Sequence, residues 1–193
     1  MNKIVAFILI LILAPVLGGL YCIIHDQITY AISPEYYTKF KFIQFRLESM
    51  GLGENIGTLK SPEIIMPNPR NGVGIVGAMA TWWVGLIIGI ILSIVGLIHR
   101  NGSEMFKATA KAILLTIFIA LITGLVGLLV GKFLLSDATS NWYIPDNVID
   151  RASFIAVGSM HNFSYLGGLL GLIAGIILSI RQKQKYKVFH FDK

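Results

Sequence analysis

Cysteine occurs once, at Cys22, so this 193-residue chain can form no internal disulfide and no paired-thiol redox relay. Charge is also scarce: 13% of residues are Asp, Glu, Lys or Arg, against 55% hydrophobic. That balance leaves no room for a separate soluble domain. No glycine-rich phosphate loop follows a strand pattern, no serine sits in a nucleophile elbow, and no HExxH pair occurs. No carboxylate falls in the middle of an apolar run, which argues against an ion-coupled transporter.

What the chain has instead is apolar sequence in four runs, at about 4–24, 73–98, 112–135 and 161–180. A hydrocarbon core of about 30 Å takes about 20 helical residues to cross. Backbone in lipid must satisfy its own hydrogen bonds, so helices are the expected form. The sequence therefore predicts an all-α membrane protein, a four-transmembrane-helix bundle forming one integral membrane domain over 1–193. The first run is expected to stay as a helix, because no small-x-small cleavage site closes it.

Of the 16 basic residues, Lys3, Arg100, Lys107, Lys111, Arg181, Lys183, Lys185, Lys187 and Lys193 flank alternate ends of the runs. The segments 26–72 and 132–151 hold the other basic residues, more thinly spread, and eight of the 10 acids. Lys and Arg near span ends mark the cytoplasmic side. Both termini and the 100–111 connection are thus expected in the cytoplasm, with 26–72 and 132–151 facing outward from the cytoplasmic (inner) membrane. By this account the net charge of +6 orients the protein in a bilayer and does not signal nucleic acid.

The first outward segment opens with Ser33-Pro34-Glu35, a helix-start pattern. Tyr36, Phe40, Ile43, Leu47 and Met50 then share one helical stripe, and Lys39, Lys41, Gln44, Arg46 and Glu48 occupy much of the remainder. An amphipathic helix from Pro34 to Met50, lying on the membrane surface and ended by Gly51 and Gly53, is the expected form. The Pro- and Gly-rich stretch 51–72 reads as loop. Pro145-Asp146 reads as the start of the last helix.

Small residues recur every fourth position at Gly77, Thr81, Gly85, Gly89 and Ser93, and again at Gly167, Gly171, Gly175 and Ser179. Such stripes let helix backbones approach closely. Gly85–Ile94 and Gly171–Ile180 are identical except for Ile88 against Ala174, as a duplicated hairpin would leave them. Trp82 and Trp83 read as packing residues, and Trp142 and Tyr143 as interfacial.

Chemistry, if present, is expected at the outer face. His25-Asp26 ends the first run and His161 begins the fourth, so topology brings both imidazoles to one depth on one side. Tyr21, Tyr165 and a carboxylate from Asp26, Glu35 or Asp150 can join them. Two imidazoles and a carboxylate suit a transition metal, which makes His25, His161, Asp26 and Glu35 the metal-ligand candidates. His99 and His190 read as solvated. Two functions remain open: an accessory or assembly component acting through its outward segment and Gly-rich faces on a membrane-protein partner or a second copy, or a small membrane metalloenzyme, an oxidoreductase or hydrolase.

Overall fold

The computed structural model describes residues 1–136 and 142–191, with side chains through Gln184. The interior of the 132–151 connection at 137–141, the side chains of Lys185, Lys187 and His190, and Lys193 lie outside the described residues.

About 78% of the chain is helical. Among the described residues four helices are long and apolar enough to cross a membrane: α1 (Lys3–Ile32), α4 (Pro69–Gly96), α5 (Gly102–Val130, prolonged by a π-turn at Gly131–Leu135) and α6 (Arg151–Phe191). Their outward surfaces are apolar, with Ile8, Ile12, Phe118, Leu129, Leu169 and Ile173 all exposed. In water such surfaces would be costly; against lipid they are the natural exterior. Trp82 and Trp83 belong to this exterior, being half exposed, and are not the packing residues their mid-span position suggested.

Two helix starts have a clear local cause. Asn101 Oδ1 accepts the Glu104 amide at 3.0 Å to cap α5, and Asp150 Oδ1 accepts the Ser153 amide at 3.0 Å to cap α6. The last helix therefore begins at Arg151 and not at Pro145-Asp146, where the chain makes a turn closed by Val148 N to Pro145 O. From there α6 continues as a single 41-residue helix.

The segment after α1 departs from the amphipathic helix its stripe predicts. It folds as α2 (Pro34–Tyr36), a π-turn (Tyr37–Lys41), α3 (Phe42–Gln44) and a short 3-10 turn (Glu48–Met50). The wide turn breaks the 3.6-residue register, and Arg46, at φ 54, ends α3 and lets Leu47 N reach Phe42 O at 3.0 Å. The buried set becomes Tyr36, Tyr37, Lys39, Lys41, Phe42 and Leu47, so two lysines assigned to the solvent side are inside. Ser33 Oγ makes no capping bond. Residues 51–72, read as loop, contain a two-residue antiparallel pair, β1 (Glu54–Asn55) with β2 (Ile64–Ile65), in register Glu54 to Ile65.

The chain divides into two compact units. One comprises 1–19, 81–122 and 165–193, with a core of Ala6, Ile10, Ala14, Leu92, Met105, Ala112 and Ile113. Glycines set its spacing. A Cβ on Gly85 would stand 2.5 Å from Ala14 O, and one on Gly171 would stand 2.7 Å from Thr116 Cα, so backbones touch where the sequence repeats. His99 is buried in this unit and contacts Ser179 Oγ at 3.1 Å, contrary to its expected solvation.

The other unit comprises 20–80 and 123–164 and is centred on Tyr36, Tyr37, Phe42, Leu47, Ile64, Val73, Val76, Phe154 and Val157. At about 1.5 Å per residue, the 30-residue α1 is about 45 Å long, well beyond a bilayer core. Its C-terminal turns belong to this second unit, together with the cap segment 34–50, the β-pair and the entry to α6. The site is built there.

Candidate functional site

Asp26 is 1% exposed, and one of its oxygens, Oδ1, gathers three side chains. His25 Nδ1 stands 3.1 Å away, His161 Nε2 3.1 Å away, and Cys22 Sγ, one helical turn earlier, 3.4 Å away. The two imidazole rings meet edge to face with centroids 4.8 Å apart. Cys22, His25 and Asp26 offer ligand atoms that lie within 4.8 Å of one another.

Local packing fixes each member. A Cβ on Gly77 would stand 2.8 Å from Cys22 O, so α4 lies backbone to backbone against this turn of α1. Gly124 on α5 leaves room for the Ser164 hydroxyl. That hydroxyl accepts from Tyr21 Oη at 3.3 Å and lies 3.3 Å from His25 Nε2. His161 Nδ1 donates to Val157 O at 2.9 Å, one turn back on α6. Both imidazoles are thus held from behind while their other nitrogens meet at Asp26.

The cap segment closes over the cluster. The Tyr36 ring stacks on His161 at 5.1 Å and 28°, and Tyr37 Oη lies 2.6 Å from Thr29 Oγ1. Burial pushes the Tyr37 phenol above its ordinary range, with the Asp26 carboxylate acting in the same direction. Lys41 is buried among the Tyr36, Phe40 and Phe45 rings with Gln44 Oε1 3.1 Å from its ammonium. Burial lowers its pKa, opposed by Asp26.

Glu35 does not join the imidazoles. Its carboxylate accepts from Lys39 Nζ at 2.6 Å, from the Ile149 amide at 3.0 Å and from the Asp150 amide at 2.8 Å. Partial burial pushes this carboxyl up, but Lys39 and the two amides outweigh that and hold it below its ordinary range. Lys39 also donates to Asn147 O at 2.7 Å. Glu35 and Lys39 therefore fasten the cap to the α6 entry. Asp150 caps α6, and Tyr165 is half exposed. Arg70 donates to Gln27 Oε1 at 3.0 Å and lies over the Tyr30 ring.

Of the sequence candidates, the fold brings together His25, Asp26 and His161, with Tyr21 linked through Ser164, and leaves Glu35 and Asp150 elsewhere. It adds Cys22, which the sequence marked only as the single cysteine. The i, i+4 spacing of Cys22 and Asp26 was the available signal. Comparison with models of protein families, with curated proteins and with solved structures finds no match to this chain.

Proposed function

We propose that this chain is a multi-pass protein of the cytoplasmic membrane that serves as an accessory or assembly component, with the unit formed by 20–80 and 123–164 as its outward docking head. The basic flanks of the spans support that orientation. The observation that carries the reading is exposed apolar surface on a part of the chain that is firmly tied down. Leu59 is 98% exposed and Ile149 90%, and Ile56 and Tyr143 are exposed beside them in sequence.

These residues do not sit on slack loops. Asp146 N donates to Lys60 O at 3.1 Å, Asn147 Nδ2 to Pro62 O at 3.3 Å, and the Ile149 amide to Glu35. A groove of about 630 Å³ opens between the cap and this loop, lined by Phe40, Ile43, Leu59, Pro62 and Tyr143 with Lys39 at its edge. An apolar groove whose walls are held in fixed positions supports a surface that another molecule covers. The buried His and Asp cluster fits this reading as the fastening beneath the cap.

The test is a photo-crosslinking residue placed at Leu59 or at Ile149 in native membranes. A discrete protein adduct from both positions, either a second copy or one other membrane protein, is expected, and Leu59→Asp should suppress the adduct formed from Ile149. Adducts to lipid alone would overturn the proposal and make the head a membrane-surface anchor.

A further inference from the structure

We propose that Cys22, His25, Asp26 and His161 form a binding site for one divalent transition-metal ion, a role that goes beyond fastening the cap. A backbone carbonyl only accepts, so His161 Nδ1, 2.9 Å from Val157 O, must carry a hydrogen. In a neutral imidazole that leaves Nε2 as a bare lone pair, and it faces a carboxylate oxygen at 3.1 Å. Two lone pairs in contact need a cation between them. A proton or a metal ion can fill that place.

The surroundings favour the metal. With a proton alone, the Cys22 thiol, the His25 N–H and the His161 N–H would all donate to one carboxylate oxygen, which offers about two lone-pair directions. A shared cation replaces three competing bonds with four ligand bonds. The spacings about Asp26 agree as well. For zinc-like bonds of about 2.0 Å to N and O and 2.3 Å to S, tetrahedral ligand edges are about 3.3 Å and 3.5 Å. The separations from Asp26 Oδ1 are 3.1 Å to each nitrogen and 3.4 Å to sulfur, while the ligand atoms of Cys22, His25 and Asp26 together spread to 4.8 Å, so Cys22 and His25 draw closer when an ion binds.

Metal-binding imidazoles are oriented by an oxygen behind the far nitrogen, and both have one here: Val157 O behind His161 and Ser164 Oγ behind His25. A dication with one carboxylate and one thiolate is neutral overall, which suits a buried position where net charge is costly.

Loading balances as follows. The proton shared by Asp26 and His161 leaves, and so does the Cys22 thiol proton. The His25 hydrogen passes from Nδ1 to Nε2, where Ser164 Oγ accepts it. Two protons are released for each ion bound.

The experiment uses the full chain, purified in detergent, stripped with chelator and titrated with Co²⁺ and separately with Zn²⁺. One equivalent of either metal should be retained after desalting, and the cobalt form should show the absorption of a thiolate-bound ion. Cys22→Ser should keep the metal and lose that band, whereas His25→Ala and His161→Ala should each lower retention at least tenfold. Glu35→Gln should bind as the wild type does. A folded wild-type protein that retains no Co²⁺ or Zn²⁺ overturns the proposal whatever the variants do, as does undiminished binding in a folded His161→Gln protein.

Discussion

Glu35 and Asp26 are both buried or half-buried carboxylates within ten positions of each other, and their surroundings give them different work. Asp26 sits on α1 among side chains from α1 and α6, while Glu35 points at backbone amides of the 149–150 turn. Only the i, i+4 pairing with Lys39 is local to residue 35; the two amides that it holds lie 114 and 115 positions away. The folded pKa of Glu35 lies below its ordinary 4.5, so its contribution to stability is complete above that pH and is lost as pH falls through the lower folded value. Glu35→Ala should weaken the cap attachment by about 1 kcal/mol, since the amides that it holds are exposed and solvent screens the charge. Hydrogen exchange in the peptide containing Ile149 and Asp150 should quicken in the variant at neutral pH. The wild type should approach the variant's rate, after correction for intrinsic exchange, only below about pH 4.5. Equal protection in both proteins at neutral pH would show that the carboxylate holds nothing.

The long helices were legible in the sequence because lipid imposes a rule that composition must obey: about 20 apolar residues per crossing. Their ends were less so. The helix α1 runs on through His25, Asp26 and Thr29 to Ile32 because each of these polar groups finds a partner, and tertiary partners leave no periodic trace. The cap failed as a stripe because a π-turn shifts the register by one residue, which hydrophobic spacing does not announce. The glycine stripes, in contrast, do what their spacing implies. Gly85 meets Ala14 of the preceding span, and Gly171 meets Thr116 of its own preceding span, so the repeated decapeptide is used alike in two successive hairpins. Gly85→Ala and Gly171→Ala should each cost about 1–3 kcal/mol, since the neighbour is backbone and cannot rotate away. Gly168, with nothing within 4 Å of a built Cβ, should accept alanine without loss. Thermal unfolding in one detergent compares the three; a Gly168→Ala protein as damaged as the others would refute close packing as the cause.

For the molecule as a whole, the proposed sidedness rests on basic residues alone and is open to a direct check. In a Cys22→Ser background, Glu54→Cys should react with a membrane-impermeant maleimide added to intact cells, and Lys185→Cys should react only after lysis. The reverse pattern would turn the head to the cytoplasm and leave the docking proposal facing the wrong compartment. The two compact units do not correspond to two stretches of chain, since each is assembled from separated segments of the same four helices. That arrangement orders events in time. Asp26 and His161 are 135 positions apart, so at about 5–20 residues per second the ribosome needs roughly 7–27 s to deliver the second after the first. Throughout that interval the nascent first span carries Asp26 beside Cys22 and His25 but without His161. Completion of the cluster is then among the last steps of synthesis, and a chain truncated before residue 161 lacks the one cluster member that α6 supplies.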